Sequence, residues 1–448
     1  MDRNAQVSSV PRPLLSVPDG IFLAVGMVIG VGIFKLPSLV AGSTSSTAEF
    51  LFAWLLGGAV SLCGALVYAE LVARHPDTGG EYAFLARGLG RAAAFLFAWS
   101  RMTVIQTGAL AAVAFAFGDY ASQIVSLGER SAALWAGIAV VALTALNLAG
   151  TLHSARLQKA MEIVLIAALV AIALAGIAYG GAGAAPAASG AAAGGSFGLA
   201  MIFVLFTYGG WNEAAYLAGE VKDARRNMLR ILVAGILAVT ALYLLVNLGY
   251  LAVLGLAGMR ESKAVAADLL RLLAGEWGAV LIALVVCVSA LTTMNAAIFT
   301  GARTNWAFGR DYRLFRLLGA WRDSGSTPAN ALVVQGLITL ALVGAGSVTP
   351  DGFGAMVAYT APVFWTFFLL TGLTLFVFRA RGGEPPPVRT PFYPVVPLAF
   401  LGMCAYMLWA SVDYLRNPVI GPKFGDMALA GLAVMLAGVL LYLVARRR

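Results

Sequence analysis

The chain has 448 residues, of which 60% are hydrophobic and only 11% charged, and its mean hydropathy is +0.87. A soluble protein carries roughly a quarter charged residues, so this composition excludes an ordinary soluble globular fold. The formal net charge of +9 requires no nucleic acid, because basic inner loops that face anionic lipid account for it. We predict an all-α protein of the lipid bilayer, since helices satisfy their own backbone hydrogen bonds there.

Apolar runs of about 20 residues, the length of one membrane crossing, recur along the whole chain. If the N-terminus is cytoplasmic, 22 of the 30 Lys and Arg residues fall inside, six fall outside and two lie within spans. This excess of positive charge places both termini in the cytoplasm. The sequence predicts twelve spans, at 18–42, 48–73, 92–118, 131–150, 157–180, 197–220, 228–255, 276–302, 329–347, 352–378, 394–414 and 426–445.

Glycines interrupt the middle of two of these spans. The first contains Gly26, Gly30 and Gly32, and the sixth contains Gly209 and Gly210. Interrupted spans five positions apart indicate a five-plus-five inverted repeat with helices 1 and 6 broken near the bilayer midplane. Glycines that serve only close helix packing remain the alternative.

The predicted repeats divide the chain into five parts. The first repeat covers 18–180 and the second covers 197–378, followed by two spans in 394–445. The tails 1–17 and 446–448 are cytoplasmic. In this arrangement, freed amides at positive helix ends suit a carboxylate, and freed carbonyls suit an ammonium or a cation. The sequence therefore predicts a site for a zwitterionic amino acid.

The sequence shows no residue pattern for a disulfide framework, a metal site or an enzyme active site. Cys63, Cys287 and Cys404 all fall inside predicted spans, which argues against a disulfide framework or a metal site. No nucleotide, metal or Ser/His/Asp motif is present, so we expect no enzyme. The absence of an Asn-x-Ser/Thr sequon favours a bacterial plasma (inner) membrane.

Charged residues within the spans are candidates for function, because ionisable groups are costly in hydrocarbon. Arg101 and Glu213 form a possible ion pair that closes the inner side. A purely structural pair, or an arginine that extends to the inner interface, remains open, and Glu162 has the same ambiguity. Glu70 and Glu220, near inner ends, are assigned to the cytoplasmic gate.

An ordered set of motifs resembles the amino acid–polyamine–organocation (APC) superfamily, and within it the L-type amino acid transporters. Gly30–Phe34 (GVGIF) is similar to G-S-G-I-F, and the loop Arg74–Gly90 is similar to P-x-x-G-G-x-Y. Phe206–Asn212 (FTYGGWN) resembles F-A-Y-G-G-W-N, and Glu220–Asn227 resembles E-x-K-x-P-x-R-N with Ala224 in place of proline. The resemblance covers nearly the whole chain and implies the leucine-transporter fold and alternating access for amino acids.

The resemblance also implies roles for individual residues. The backbone amides around Val31, Gly32 and Ile33 would hold the substrate carboxylate, and the carbonyls near Ile29 and Phe206 its ammonium. Val31 replaces the usual serine, so one hydroxyl contact is missing. Phe206 would be an aromatic lid, Gly209 would leave room for the substrate side chain, and Asn212 would line the pocket.

The same resemblance implies Na⁺ coupling through a single site. Thr292 and Thr293 would supply hydroxyls, Ser289 a carbonyl, and Gly26 and Ile29 two further carbonyls, since Ser289–Thr293 resembles a motif of sodium-coupled leucine transporters. Proton-coupled or exchanging relatives carry a lysine where this chain has Leu165. Threonine hydroxyls that only bond back to helix carbonyls are the alternative.

Animal L-type transporters attach a heavy chain through a cysteine between spans three and four, and the corresponding loop, Asp119–Glu129, has none. We therefore expect no disulfide-linked heavy chain.

Several alternative functions remain open. Within transporters, these are proton-coupled or exchange-type amino acid transport, transport of a related amine, and an ion-only carrier. A non-transporting sensor is disfavoured because no appended soluble domain is visible.

Overall fold

The computed structural model describes residues 15–76, 80–149, 155–180, 196–219, 221–322, 327–383, 385–413 and 425–446. Outside these ranges lie the predicted gate residue Glu220, the tail residues 1–14, 447 and 448, and the outer-loop residues 181–195. Within the described residues the fold is helical, and its two β-bridges are isolated.

Apolar sequence and the lack of water in the bilayer core together favour helices throughout the chain. The helices are α1 (Val17–Val28), α2 (Gly32–Gly42), α3 (Thr47–Arg74), α4 (Gly80–Gly88), α5 (Arg91–Ser100), α6 (Gln106–Ile124), α7 (Ser131–Leu148), α8 (Ala155–Gly180), α9 (Phe197–Thr207), α10 (Ala224–Glu261), α11 (Val265–Asp311), α12 (Ala329–Gly346), α13 (Gly352–Ala380), α14 (Val395–Asp413) and α15 (Asp426–Arg446). A π-helical turn, Arg101–Ile105, joins α5 to α6, and 3₁₀ segments cover Trp211–Gly219 and Arg313–Phe315.

The prediction of an all-α membrane protein is confirmed, whereas the predicted number of twelve spans is not reached within the described residues. Ten stretches of the described chain are long and apolar enough to cross a membrane, and the bent pair α1–α2 makes an eleventh. The predicted sixth span consists of α9 and the 3₁₀ segment that follows it. Its crossing, which would bring the number to twelve, and the inverted repeat both stay predictions.

Two long helices extend beyond the spans that the sequence predicts. α10 continues past Gly255, which has a left-handed φ of 64°, and α11 contains Gly275 with a φ of 69°. The predicted spans end at 255 and begin at 276, so each boundary coincides with a glycine kink. The helical turns beyond the kinks form the connection between the seventh and eighth spans.

Packing places the two interrupted segments at the centre of the bundle. α10 packs against α1, α2, α3 and α8, and α2 packs against α9. The third span (α5, the π turn and α6) packs against α7, α11 and α13. The breaks in the first and sixth segments are therefore enclosed by other helices and meet each other in the interior.

Candidate functional site

The first span breaks where the sequence predicts. α1 ends at Val28, α2 begins at Gly32, and the two helices are bent by 49°. Val31 precedes α2 and provides no side-chain cap. The first amides of a helix have no partner within it and lie at its positive end. The amides of Val31, Gly32 and Ile33 are therefore suited to an anionic group, as the resemblance implies.

The sixth span breaks at the predicted glycines. α9 ends at Thr207, and the amide of Gly209 donates to the Phe206 carbonyl over 3.0 Å. A Cβ on Gly209 would lie 2.9 Å from that carbonyl oxygen, so the close neighbour is the turn itself. The tight turn therefore explains a glycine at position 209, in addition to the expected room for a substrate side chain.

Gly210 brings the two breaks into direct contact. Its φ is +107°, and a Cβ there would lie 2.2 Å from the carbonyl oxygen of Met27. Only glycine combines this backbone conformation with so close an approach. The two interruptions, which lie five spans apart in the sequence, are thus in direct contact in the structure.

Tyr243 of α10 bonds to the carbonyls freed at both breaks. Its hydroxyl lies 3.0 Å from the Val28 carbonyl oxygen and 3.2 Å from that of Thr207. The ring is fully buried and packs edge-on against Trp54 and near Tyr208. Sequence reasoning missed this residue, because a tyrosine in an apolar span resembles ordinary core packing.

A cavity of about 560 Å³ lies beside the two breaks. This size falls within the usual range for small-molecule sites. Phe206, half-buried, faces Phe353 of α13 edge-on with 6.1 Å between ring centroids. Of the predicted substrate residues, the cavity is lined by Ile29, Val31, Gly32, Phe206, Gly209 and Asn212. Ile33 is fully buried and does not line it, so only its backbone amide remains a candidate.

The ion pair that the sequence suggested is present at the side of the cavity that the predicted orientation makes the inner one. Arg101 Nη2 lies 3.0 Å from Glu213 Oε2, and we call this contact the inner ion pair. Arg101 also lies 3.9 Å from Glu81, whose carboxylate accepts bonds from Tyr68 and Asn212. Arg101 sits in the π-helical turn, a feature frequent at functional sites. The sequence analysis did not single out Glu81, which is almost fully buried.

The predicted sodium ligands also line this cavity, but their surroundings differ from the expectation. Gly26, Ile29, Ser289, Thr292 and Thr293 are all lining residues. The Thr292 hydroxyl donates to the Val288 carbonyl over 2.8 Å, which is the backbone-bonding alternative. A Cβ on Gly26 would lie 2.7 Å from a Glu162 carboxylate oxygen. The carboxylate of Glu162 therefore occupies the space against Gly26.

Comparison with known proteins identifies the family. The amino acid permease family model matches residues 15–439. The chain belongs to this family. It is 28% identical over 406 residues to the b(0,+)-type amino acid transporter 1 of Rattus norvegicus, covering 88% of this chain and 81% of the relative. It is 27% identical over 396 residues to the serine/threonine exchanger SteT of Bacillus subtilis, covering 87% and 89%.

A third relative has a name that implies an assembly. The permease is 28% identical over 435 residues to the large neutral amino acids transporter small subunit 2 of Mus musculus, covering 94% of this chain and 78% of the relative. The APC resemblance and the prediction of a transporter rather than an enzyme are confirmed. The permease is a multi-pass membrane protein of an amino acid transport family. Sodium coupling receives no support from these relatives.

Glu70 of the permease, predicted for the cytoplasmic gate, lies at a junction of several helices. It is fully buried and accepts hydrogen bonds from Arg74, Arg379 and the amide of Thr390. These bonds tie α3 to α13 and to the segment before α14. Glu70 thus joins these helices and does not line the cavity, and its role at the cytoplasmic gate stays a prediction.

Proposed function

We propose that the protein is an exchange-type transporter of amino acids in the plasma membrane, working by alternating access. The observation that carries the proposal is the contact of the two broken helices, Gly210 against Met27, beside a cavity of about 560 Å³. Amides at the start of α2 bind the substrate carboxylate. Carbonyls at the two breaks, near Ile29 and Phe206, bind its ammonium. Phe206 acts as the aromatic lid, and Asn212 lines the pocket.

Exchange is favoured over sodium symport on two grounds. One relative that matches most of this chain is named a serine/threonine exchanger. In addition, the Thr292 hydroxyl that was expected to bind Na⁺ donates instead to the Val288 carbonyl over 2.8 Å. The Glu162 carboxyl against Gly26 gives a proton-linked mode a candidate residue.

The coupling mode is tested by uptake of labelled amino acid into proteoliposomes. We expect preloading with unlabelled amino acid to raise uptake about tenfold or more, because the loaded carrier returns more readily than the empty one. Replacing sodium by choline should leave this uptake unchanged. Thr292→Ala should then behave like Thr304→Ala, a matched control whose hydroxyl also bonds to the α11 backbone.

Two other outcomes would replace exchange with a different mode. Full uptake into empty vesicles that follows a sodium gradient and is weakened by Thr292→Ala would establish the sodium symport alternative. Uptake into empty vesicles that follows a proton gradient and is lost in Glu162→Gln would establish proton coupling.

Recognition of both charged ends of the substrate gives a second prediction. N-acetylation removes the ammonium and esterification removes the carboxylate, and a bond to a charged group contributes about 1.5–3 kcal/mol. Each blocked form should therefore compete with labelled substrate at least about tenfold less well than the free amino acid. Equal competition by free and doubly blocked forms would exclude a zwitterion-binding site.

The partner question follows from the relative named as a small subunit. The loop Asp119–Glu129 of this chain contains no cysteine for a disulfide to a second chain. We propose that the protein works without a disulfide-linked heavy chain. Purification of an active single polypeptide supports this assignment, and a stable disulfide-linked heterodimer contradicts it.

A further inference from the structure

We propose that Lys35 is a positioning residue for transport: its ion pair with Asp119 holds α2 against the third span and closes the outer path to the cavity. This inference rests on the proposed function, because it concerns the half-helix whose amides bind the substrate carboxylate. We call the Lys35–Asp119 contact the outer ion pair. Asp351 is a second carboxylate that interacts electrostatically with the same ammonium group.

The outer ion pair joins three separate parts of the fold. Lys35 lies in the first turn of α2, three residues after Gly32, and its side chain is only 6% exposed. Its Nζ lies 3.0 Å from Asp119 Oδ2, near the outer end of α6. The same Nζ donates to the carbonyl of Lys263, between α10 and α11, over 3.1 Å. One lysine therefore fixes the start of α2 to two neighbouring elements.

Core packing does not explain a lysine at this position. A buried ammonium group loses several kcal/mol of hydration, which a carboxylate restores only when the geometry is good. An apolar residue of similar size would pack there without that loss. Charged groups inside membrane proteins accordingly tend to mark functional sites with a specific partner.

A second carboxylate stands close to the outer ion pair. Asp351, immediately before α13, interacts electrostatically with both Lys35 and Asp119. Its side chain does not cap α13, and its buried Oδ2 has no hydrogen-bond partner within the described part of the chain. The side chain of Lys263 interacts with Asp119 as well. Asp351 thus offers the Lys35 ammonium a second carboxylate at the start of α13.

In the described residues, the other long-range hydrogen bonds to α2 and its C-terminal end are directed at the backbone. Tyr120 donates to the Phe34 carbonyl over 2.7 Å, and Arg260 donates to the carbonyls of Ala41 and Thr44 over 3.0 and 2.8 Å. Such bonds hold the helix ends but carry no paired charge. The outer ion pair, in contrast, holds the position of α2 through the attraction of two opposite charges.

The third span carries one partner of each ion pair. Arg101 and Asp119 are 18 residues apart, about 27 Å along a helix. The outer pair binds the outer half of the first span, and the inner pair binds the inner half of the sixth. Alternating access requires that one end of the cavity open at a time, and the two pairs provide one bistable contact at each end.

Lys35→Met removes the charge and keeps most of the side-chain length. The cavity-lining residue Val113 is replaced by cysteine in a background without Cys63, Cys287 and Cys404, and a membrane-impermeant thiol reagent is applied from the outer side. We expect Lys35→Met to label about tenfold faster than the parent protein and to exchange substrate more slowly, because the outward-open state gains population. Glu276→Gln, at another carboxylate pair whose acidic side chain is 73% exposed, should leave the labelling rate unchanged.

Charge rescue separates positioning from a loss of fold. The swap Lys35→Asp with Asp119→Lys should restore slow labelling, Lys35→Arg should retain it, and Asp119→Asn should label as fast as Lys35→Met. If Lys35→Met does not fold, Asp119→Asn and the swap decide the question. Unchanged labelling in a folded Lys35→Met or Asp119→Asn protein overturns the proposal. Labelling is measured without substrate, so failure of amino acid exchange in the parent protein contradicts the proposed function and leaves this readout intact.

Discussion

Gly210→Ala should reduce amino acid exchange by about tenfold or more, because it separates the two broken helices and depopulates the binding-competent state. The φ of +107° disfavours any Cβ, and the Cβ would also lie 2.2 Å from the Met27 carbonyl oxygen. Strained backbone of this kind costs about 1–3 kcal/mol, and overpacking costs a similar amount. Thermal unfolding in detergent and exchange in proteoliposomes measure the two effects.

The matched control for this substitution is Gly137→Ala. Gly137 lies inside α7, and its added Cβ would meet no atom within 4 Å. Alanine at such a helical position stabilises by about 0.5–1 kcal/mol relative to glycine. Suppose that the Gly210→Ala protein exchanges substrate normally and unfolds at the same temperature as the Gly137→Ala protein. The contact between the two breaks would then not be the basis of the site.

The features that sequence predicts well here are local ones. Glycines at the middles of the first and sixth spans predict the breaks. A glycine weakens a helix locally, whichever other helices pack against it. Gly255 and Gly275 mark the kinks next to the predicted boundaries for the same reason. The contact between Arg101 and Glu213 was also predictable, since a charge within a span is costly and needs a partner.

What the sequence does not predict depends on which helices meet. Tyr243 lies 36 residues from Thr207, and no local pattern relates a tyrosine of one span to carbonyls in two others. Glu81 belongs to a loop in the sequence, yet α4 packs against the inner half of the sixth segment and buries its carboxylate. Glu162 was recognised as a buried charge, but its place against Gly26 depends on the packing of the fifth span.

Glu70→Ala should produce the largest loss of stability outside the cavity. The carboxylate is fully buried, with Arg74 Nη2 at 2.9 Å and Arg379 Nη2 at 2.5 Å. The amide of Thr390 donates to the same carboxylate over 2.8 Å. Removing one partner of a buried pair leaves the other charge without compensation, at a cost of about 3–5 kcal/mol. The junction of α3, α13 and the segment before α14 should therefore loosen.

An exposed pair of the same chemistry isolates the effect of burial. Glu276 contacts Arg271 at 2.9 Å, but its side chain is 73% exposed, so Glu276→Ala should cost less than about 1 kcal/mol. Glu70→Gln, which retains the shape and one acceptor oxygen, should lie between the two alanine variants. The thermal unfolding midpoints of the three variants in detergent measure this order. If Glu70→Ala unfolds no earlier than Glu276→Ala, the charge at Glu70 is not what holds the junction together, and its assignment to the cytoplasmic gate becomes the better explanation for a carboxylate at the inner end of α3.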